Sequence, residues 1–225
     1  MQGAQIDHPC FLCYDALVKR MDNISELQAL SDQICNCTLC PLAKTRTKAV
    51  PGEGSTTPPI MFIGEGPGYN EDQQGRPFVG QAGRLLEQLL ASIGLQRSDV
   101  FIANMVKCRP PNNRDPLPGE IEACKPYLDR QIELLKPKVI VTLGRYSLAK
   151  FFPKETISKS RGRPRKWNGI IIFPIYHPAA ALRQMALKVV LEKDFQMLPS
   201  LVKEEHQRLP EEAPGGKQLN MFSES

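Results

Sequence analysis

The segment IMFIGEGPGYNED, residues 60–72, joins a short apolar run to a glycine-rich loop. Its first four residues predict a buried strand, and the glycines begin where that strand ends. Three further apolar runs, at 100–106, 138–143 and 170–175, alternate with helical patterns along the chain. Strands that alternate with helices indicate a parallel sheet covered by helices. The sequence therefore predicts an α/β fold, a single three-layer α/β/α domain with a short, mainly parallel four-stranded sheet.

Three notable positions fall at the ends of predicted strands. Gly64 opens the loop after the first strand, Asn104 ends the second, and His177 follows the fourth. In open α/β sheets, ligands bind in the crevice beyond the carboxyl ends of the strands. The sequence therefore predicts that these three positions contribute to one shared site.

The chain has 225 residues, of which 41% are hydrophobic, enough for one α/β core with terminal segments to spare. Its pattern predicts an irregular extension at 1–22, a domain at 23–198 and a flexible tail at 199–225. Asn23 and Glu26 have the spacing of a capping box, which predicts that the first helix begins there. No secretory signal is visible, and no apolar run is long enough to span a bilayer. These features favour a soluble, cytoplasmic protein.

Positive charge is concentrated in one segment of a chain whose formal net charge is +5. Residues 159–166 carry five cations and no acid, a distribution that favours binding to a polyanion. A solvated basic loop is equally compatible with this composition. The cations of the segment are Lys159, Arg161, Arg163, Arg165 and Lys166.

Four of the seven cysteines form a pattern of their own, Cys37-x2-Cys40 followed by Cys108 and Cys124. In a reducing compartment, grouped cysteines indicate a metal centre rather than disulfides. Two thiolates on one tight turn suit zinc and an iron–sulfur cluster equally, so the spacing leaves the metal open. Simple burial is the alternative for Cys108 and Cys124. No role is assigned to Cys10, Cys13 and Cys35.

Two short segments accompany the cysteines, GEGPGYNED at 64–72, which GRPFVG at 75–80 follows, and HPAAAL at 177–182. In combination these motifs resemble the family 4 uracil-DNA glycosylases, the iron–sulfur branch of their superfamily, from about Cys37 to about Asp194. The resemblance implies an enzyme of base excision repair that flips uracil out of DNA, hydrolyses its N-glycosidic bond and leaves an abasic site. It also implies a [4Fe–4S] cluster on Cys37, Cys40, Cys108 and Cys124.

A structural role is the favoured one for that cluster, because breaking a glycosidic bond transfers no electrons. The cluster would pin the segment around Cys37 to the loop and helix at 108–124. A redox-sensing role stays open.

The resemblance assigns the uracil pocket to the loop at Gly64 and Gly66 and to three side chains. Phe78 is expected to stack on the flipped base, and Asn104 to read uracil N3–H and O4 through its amide. Glu71 is expected to exclude the thymine methyl group. Two of these side chains have plainer alternatives, since Phe78 also suits a core position and a strand-end Asn104 also suits a turn.

The glycosidic bond breaks towards an oxocarbenium-like sugar and a uracil anion, so a hydrogen-bond donor at uracil O2 stabilises the transition state. The resemblance implies that His177 is this donor, for which a neutral imidazole suffices, and a structural role is the alternative for a histidine at a strand end. Gly66 stands where other branches of the superfamily carry an aspartate, so the chain lacks that general base. Glu65 and Asn113 are the remaining candidates, and both match family positions that hold the attacking water. Glu65 could accept a proton from that water, whereas Asn113 could only orient it.

Three residues are expected to contact DNA. Leu182 is the candidate wedge that fills the gap left by the flipped nucleotide. Arg161 and Arg163 are the candidate contacts from the basic segment. A buried position at a helix start is the alternative for Leu182.

The end of the tail, QLNMF at 218–222, resembles the short motif by which bacterial proteins dock on the sliding clamp. An extended peptide with apolar anchors on a flexible tether can fill a hydrophobic pocket. A disordered tail without a partner is the alternative for so short a motif. The residues of the predicted contact are Gln218, Leu219, Met221 and Phe222. The protein is otherwise expected to be a monomer.

Two functions of other classes stay open. A nucleic-acid-binding module with a zinc or iron–sulfur knot and no catalysis needs no convergence of Glu65, Asn104 and His177. A redox protein that uses the cluster itself has no requirement for His177.

Crosslinking relatives carry glutamine at the position of Gly66 and a basic insertion after the aromatic segment. This chain has neither, so turnover rather than a covalent product is expected.

Overall fold

A computed structural model describes residues 11–203, and the side chains of residues 21–203 among them. Its helices are α1 (Phe11–Cys35), α2 (Tyr69–Gln74), α3 (Gln81–Ala91), α4 (Pro118–Leu135), α5 (Arg145–Phe151), α6 (Ile157–Ser160), α7 (Pro178–Ala181) and α8 (Met185–Lys203). Its strands are β1 (Glu53–Gly54), β2 (Ile60–Gly64), β3 (Phe101–Asn104), β4 (Val139–Leu143), β5 (Arg165–Trp167) and β6 (Ile170–Ile175).

In the described part of the chain, one six-stranded sheet has the order β1-β3-β2-β4-β6-β5. Its four central strands pair in parallel, and β1 and β5 pair antiparallel at the edges. The predicted fold class is confirmed, but the predicted number of four strands is two too low. The edge strands have only two and three residues. They therefore lack the apolar run that marks each central strand in the sequence.

Apolar side chains on the two faces of the sheet form two separate cores, which gives the three layers. On one face the strands pack against α3 and α8, through Phe62, Phe173, Leu86, Leu89 and Phe195. On the other face they pack against α4 and α5, through Met61, Ile63, Leu128, Ile132 and Leu148. Every residue of β2 and β4 is buried, as expected for strands covered on both sides.

The first helix begins earlier than the sequence predicted. It starts at Phe11 rather than at Asn23, so the prediction of an irregular segment at 1–22 is wrong from residue 11 onward. That stretch holds no glycine or proline, and the helix propagates through Asn23 despite the capping-box spacing. Glu26 forms an ion pair with Arg130 of α4 instead. The residues before Phe11 lie outside the described part.

The last helix ends later than the sequence predicted. α8 continues across Pro199 to Lys203, so the boundary at 198 is wrong. Leu201 is buried in the core beneath α8, and this packing extends the helix beyond the proline. Residues 204–225, with the predicted clamp motif, lie outside the described residues. Among the residues that are described, no helix has the length and apolar character needed to cross a membrane.

Candidate active site

A cleft of about 430 Å³ lies beyond the carboxyl ends of the central strands. The loops after β2, β3 and β6 all contribute to its lining, as expected for a parallel sheet. Seven of the residues singled out in the sequence meet there: Glu65, Gly66, Glu71, Phe78, Asn104, Asn113 and His177. The structure therefore brings the strand-end residues Asn104 and His177 into one site, whereas Gly64 stands outside its lining.

Gly64 brings the ends of two strands together behind this cleft. It pairs with Asn104 across β2 and β3. A Cβ atom at Gly64 would stand 2.8 Å from Cζ of Phe78 and would also collide with Oδ1 of Asn104. A side chain at position 64 would therefore displace both neighbours, which explains the glycine at the end of this strand.

Asn104 carries an unused hydrogen-bond acceptor. The residue is 2% exposed, and its Oδ1 has no hydrogen-bond partner among the described residues. A buried acceptor left without a donor costs about 1–3 kcal/mol. Because Asn104 lines the cleft, the orphaned oxygen is available to an N–H group of a ligand.

Phe78 belongs to the core cluster, as one of its two alternatives held, and it also lines the cleft. Its ring stacks on the imidazole of His177, with the centroids 5.5 Å apart and the planes 29° apart. Its backbone has a φ of 52°, a conformation that is uncommon for a bulky residue. Arg97 holds this turn by donating a 2.8 Å hydrogen bond from Nη1 to the Phe78 carbonyl. The ring is therefore held rigidly at the wall of the cleft.

Glu71 connects the glycine-rich loop to the aromatic segment. Its Oε1 accepts hydrogen bonds from the backbone N–H groups of Val79 and Gly80, both at 2.9 Å. Its Oε2 accepts a third, from the N–H of Gly68 at 3.2 Å. The carboxylate thus has a fixed place in the lining of the cleft.

The protonation state of His177 follows from its contacts. Its Nδ1 accepts a 3.1 Å hydrogen bond from the N–H of Ala179 in the first turn of α7. The neutral ring therefore carries its proton on Nε2. Burial lowers the pKa of His177 to about 4, although Glu71 opposes this shift. Above that pH, the cleft contains a neutral imidazole with one N–H donor.

Three carboxylates line the cleft, those of Glu65, Glu71 and Asp115, and the sequence pointed to the first two. Burial raises the pKa of Glu65, the negative charge of Asp115 raises it further, and Arg145 opposes both. Asp115 itself forms an ion pair with Arg145. The available signal for Asp115 was its place two residues after Asn113, in the same proline-rich loop.

Asn113 is an exposed residue at the rim of the cleft, with a φ of 54°. Its Oδ1 accepts a 2.7 Å hydrogen bond from Nε of Arg109. The Arg109 guanidinium also lies over the ring of Tyr69, 5.2 Å from its centroid. Arginine has no acceptor, so this contact identifies the amide oxygen. The Nδ2 group of Asn113 is the part that stays available to a ligand.

The four cysteines of the pattern also meet, in a second pocket. Cys37, Cys40, Cys108 and Cys124 all line it, whereas Cys35 does not. In the described residues, no three His, Cys, Asp or Glu side chains are placed as a single metal ion requires. Four thiol groups around one pocket are a donor set that suits both zinc and an iron–sulfur cluster.

Two N–H groups already point at sulfur atoms of this pocket. Nη1 of Arg46 donates to Sγ of Cys108 at 3.0 Å, and the backbone N–H of Lys107 donates to Sγ of Cys124 at 3.3 Å. Burial raises the pKa of the Cys124 thiol to about 11 and also raises that of Cys108. Hydrogen bonds to sulfur and a bound cation both favour the thiolate form. The chemistry of the four cysteines therefore fits a metal–thiolate centre.

The cleft lies in the part of the chain that matches a known protein family. A family model described as the uracil DNA glycosylase superfamily matches residues 51–198, which include every residue of the cleft. The chain belongs to the uracil DNA glycosylase superfamily.

Similar proteins narrow the family to its type-4 branch. The type-4 uracil-DNA glycosylase of Sulfurisphaera tokodaii is 51% identical over 188 residues, 79% of this chain and 86% of that protein. That of Saccharolobus solfataricus is 53% identical over 186 residues, 78% of this chain and 85% of that protein. That of Thermotoga maritima is 45% identical over 184 residues, 80% of this chain and 96% of that protein. The predicted family is therefore confirmed.

In this member of the superfamily, the candidate wedge is exposed. Leu182 is 48% exposed and follows the last residue of α7, so the alternative of a buried leucine at a helix start is wrong. Met185, at the start of α8, is 76% exposed beside it. The neighbouring Arg183 lines the cleft. An apolar projection thus adjoins the mouth of the glycosylase cleft.

The two candidate arginines of the basic segment differ in their surroundings. Arg161 donates a 2.8 Å hydrogen bond to the buried carboxylate of Asp194, and its guanidinium lies 5.9 Å from the centroid of the Tyr176 ring. Arg163 lines a separate surface pocket with Lys154, Lys159 and Glu155. Arg161 therefore fixes the segment to the fold, whereas Arg163 lies in a surface pocket with more cations than acids.

Proposed function

We propose that this protein removes uracil from DNA by hydrolysing the N-glycosidic bond, without cutting the strand, as a step of base excision repair. The observation that carries the proposal is the orphaned Oδ1 of Asn104, buried in a cleft whose lining includes Phe78 and His177. An aromatic face, an acceptor and a neutral donor are the groups needed to hold a flipped pyrimidine. Membership of the type-4 branch supports the same substrate.

Asn104 supplies the choice between uracil and cytosine. Uracil has an N–H at position 3 and an oxygen at position 4, which match the acceptor and the donor of an asparagine amide. Cytosine has an acceptor at position 3, so two acceptors would face each other. A site built around such a hydrogen bond rejects the mismatched analogue strongly, because its own polar group stays unpaired.

Glu71 supplies the choice between uracil and thymine. The two bases differ by one methyl group, and an apolar pocket discriminates a methyl by only about 1–3 kcal/mol. A side chain with a fixed position excludes the thymine methyl group more selectively than a mobile one. The three backbone hydrogen bonds of Glu71 hold its carboxylate in place and support this assignment.

His177 stabilises the leaving group. As the bond between C1′ and N1 breaks, its electron pair passes to the base, and negative charge develops on uracil O2. The Nε2–H of the neutral His177 donates to that oxygen. A preorganised donor of this kind contributes about 3 kcal/mol. The hydrogen bond from Ala179 to Nδ1 supports the assignment, because it fixes the tautomer.

Glu65 and Asn113 act on the water that attacks C1′ of the cationic sugar. The carboxylate of Glu65 accepts the proton of that water, and its negative charge stabilises the sugar cation. Asn113 orients the water through Nδ2, because Arg109 occupies its Oδ1. Gly66, which lines the same cleft, has no side chain for this role.

We further propose that Cys37, Cys40, Cys108 and Cys124 hold a [4Fe–4S] cluster. When bound, the cluster supplies a covalent crosslink between chain segments and takes no part in breaking the glycosidic bond. The shared pocket and the hydrogen bonds to the sulfurs of Cys108 and Cys124 support this assignment.

The proposed partners are DNA and the sliding clamp. Uracil-containing DNA is the substrate, with Leu182 as the wedge. Arg163 binds its phosphates, and Arg161 does so through the guanidinium donors that Asp194 does not occupy. We also propose a monomer that works in the cytoplasm and docks on the bacterial sliding clamp. The clamp contact rests on the sequence of Gln218, Leu219, Met221 and Phe222.

The test is release of the base from end-labelled oligonucleotides that contain one uracil, thymine or cytosine. The protein is purified without oxygen, and alkali then cuts the strand at abasic sites. The expected result is cleavage at uracil alone. Intact strands from metal-loaded protein would contradict the proposed function and favour a module that only binds nucleic acid.

A further inference from the structure

Lys107 is a lysine in the interior of the protein. It is 1% exposed and lies in the turn between β3 and Cys108. Its Nζ donates hydrogen bonds to the backbone carbonyl of Asn104 at 2.9 Å and to Oε1 of Gln131 at 2.6 Å. Both of these acceptors are neutral. Lysine is almost never fully buried without a specific partner, so this placement has a cause other than hydrophobic burial.

Gln131 extends the contact to a third segment of the chain. This α4 residue is 2% exposed, and its Nε2 donates a 2.8 Å hydrogen bond to the carbonyl of Pro51. The N–H of Val50 in turn donates to the carbonyl of Lys107 at 2.7 Å. The Lys107 amine and the Gln131 amide therefore join three segments that are distant in sequence, at 50–51, 104–107 and 131.

The same lysine also contacts the cysteine pocket. Its backbone N–H donates to Sγ of Cys124, and the next residue is Cys108. Its side chain, in the other direction, ends on the carbonyl of Asn104. Lys107 therefore stands between the pocket of the four cysteines and the residue whose amide lines the cleft.

Asn104 depends on such support. Its Oδ1 has no partner among the described residues, so that oxygen does not anchor the side chain. The position of the amide is then set by the backbone at the last residue of β3. The amine of Lys107 is held by two acceptors, the Asn104 carbonyl and Gln131 Oε1. Its hydrogen bond to the carbonyl therefore fixes the Asn104 backbone and, with it, the position of the side-chain amide.

We propose that Lys107 is a positioning residue for base recognition, which fixes Asn104 in the cleft and couples it to the cysteine pocket. This inference rests on the proposed function, in which Asn104 binds the flipped uracil. Lys107 does not touch the base. Its effect passes through Asn104, with Gln131 as the second anchor of the amine.

The first test is Lys107→Met, which keeps the length of the side chain and removes its donors. Single-turnover uracil release is measured, because the rate constant reports the active site and the amplitude reports the folded fraction. We expect the rate constant to fall by about 10- to 100-fold. Leu128→Ala is the matched control, a buried α4 substitution that lowers the amplitude or the melting temperature and leaves the rate constant unchanged. An unchanged rate constant in Lys107→Met would overturn the proposal.

The second test combines Lys107→Met with Asn104→Ala. If Lys107 acts through Asn104, the substitution of Lys107 changes the rate constant of Asn104→Ala by less than about twofold. Free uracil binding, followed by calorimetry, is expected to weaken equally in the two single variants and no further in the double variant. Losses that multiply in rate and in binding would show an independent, merely structural role and overturn the proposal.

Gln131→Met covers the case in which Lys107→Met does not fold. It keeps the amine on Asn104 but removes its second anchor, so a fall of about three- to tenfold is expected in the same rate constant. A wild-type rate in folded Gln131→Met would overturn the proposal. Wild-type protein that releases no uracil would instead overturn the proposed function, so the two failures are distinguishable.

Discussion

The imidazole of His177 stacks on the ring of Phe78, with 5.5 Å between the ring centroids. Phe78, which is assigned to stack on the base, thus supports His177, which is assigned to the leaving group. A rigid aromatic neighbour fixes the direction of the imidazole N–H before substrate arrives. Preorganised donors of this kind stabilise a transition state without reorganisation during the reaction.

The role of His177 is tested by changing the leaving group. His177→Ala is expected to lower the single-turnover rate of uracil release by about 10²–10³-fold. The loss is expected to be smaller for 5-fluorouracil, whose anion is already stabilised by fluorine and needs less help from a donor. Both substrates are compared in the same duplex. An equal loss for the two bases would contradict stabilisation of the leaving group.

The acidic limb of the pH–rate profile belongs to Glu65 in this account. Burial and Asp115 raise the pKa of Glu65, so the carboxylate is lost, and the rate falls, at a higher pH than for an ordinary glutamate. His177, with its pKa lowered to about 4, stays neutral through that range. Asp115→Asn removes a negative charge near Glu65 and is expected to move the limb to lower pH. The limb is expected to disappear in Glu65→Gln, and its survival there would assign it to another group.

Glu71 is predicted to affect stability and selectivity together. Glu71→Ala leaves three backbone N–H groups without their acceptor and is expected to lower the free energy of unfolding by about 2 kcal/mol. It also opens the wall of the cleft, so the ratio of thymine to uracil release is expected to rise. Glu71→Gln keeps the size and is the control, with a smaller effect on both. Denaturant unfolding and base release measure the two effects.

Iron content tests the cysteine pocket. Protein purified without oxygen is expected to hold about four irons per chain, the content of one [4Fe–4S] cluster. Cys40→Ala is expected to lose iron and to melt at a lower temperature. Cys35→Ala is the matched control, because Cys35 is exposed and outside the pocket. Zinc in place of iron, or an equal effect of both substitutions, would contradict the assignment.

The sequence predicted those parts of the fold that depend on long apolar patterns. The central strands and the two covered faces follow from runs such as 138–143, whereas β1 and β5 are too short and polar to produce a pattern. The helical start at Phe11 was missed because the capping spacing at Asn23 is a local signal, and continuous helix overrides it.

The sequence also indicated site residues that stand at the end of a predicted strand or in a motif of the resembling family. Asn104 ends the second predicted strand, and His177 opens HPAAAL after the fourth. Asp115 acquires its place in the cleft, together with Glu65, from the fold of the proline-rich loop. Lys107 resembles a surface residue in any sequence pattern, and only three-dimensional packing shows that it is buried.

The central claim is that the amide of Asn104 selects uracil, and Asn104→Asp tests it most directly. Release of uracil and of cytosine is measured from matched oligonucleotides under single-turnover conditions. Uracil release is expected to fall by about 100-fold or more, because a carboxylate has no donor for O4. Cytosine release is expected to become measurable, since the carboxylate accepts from the cytosine amino group and one proton shared with cytosine N3 removes the clash of acceptors. Uracil release within about threefold of the wild-type rate, with no cytosine release, would contradict the claim.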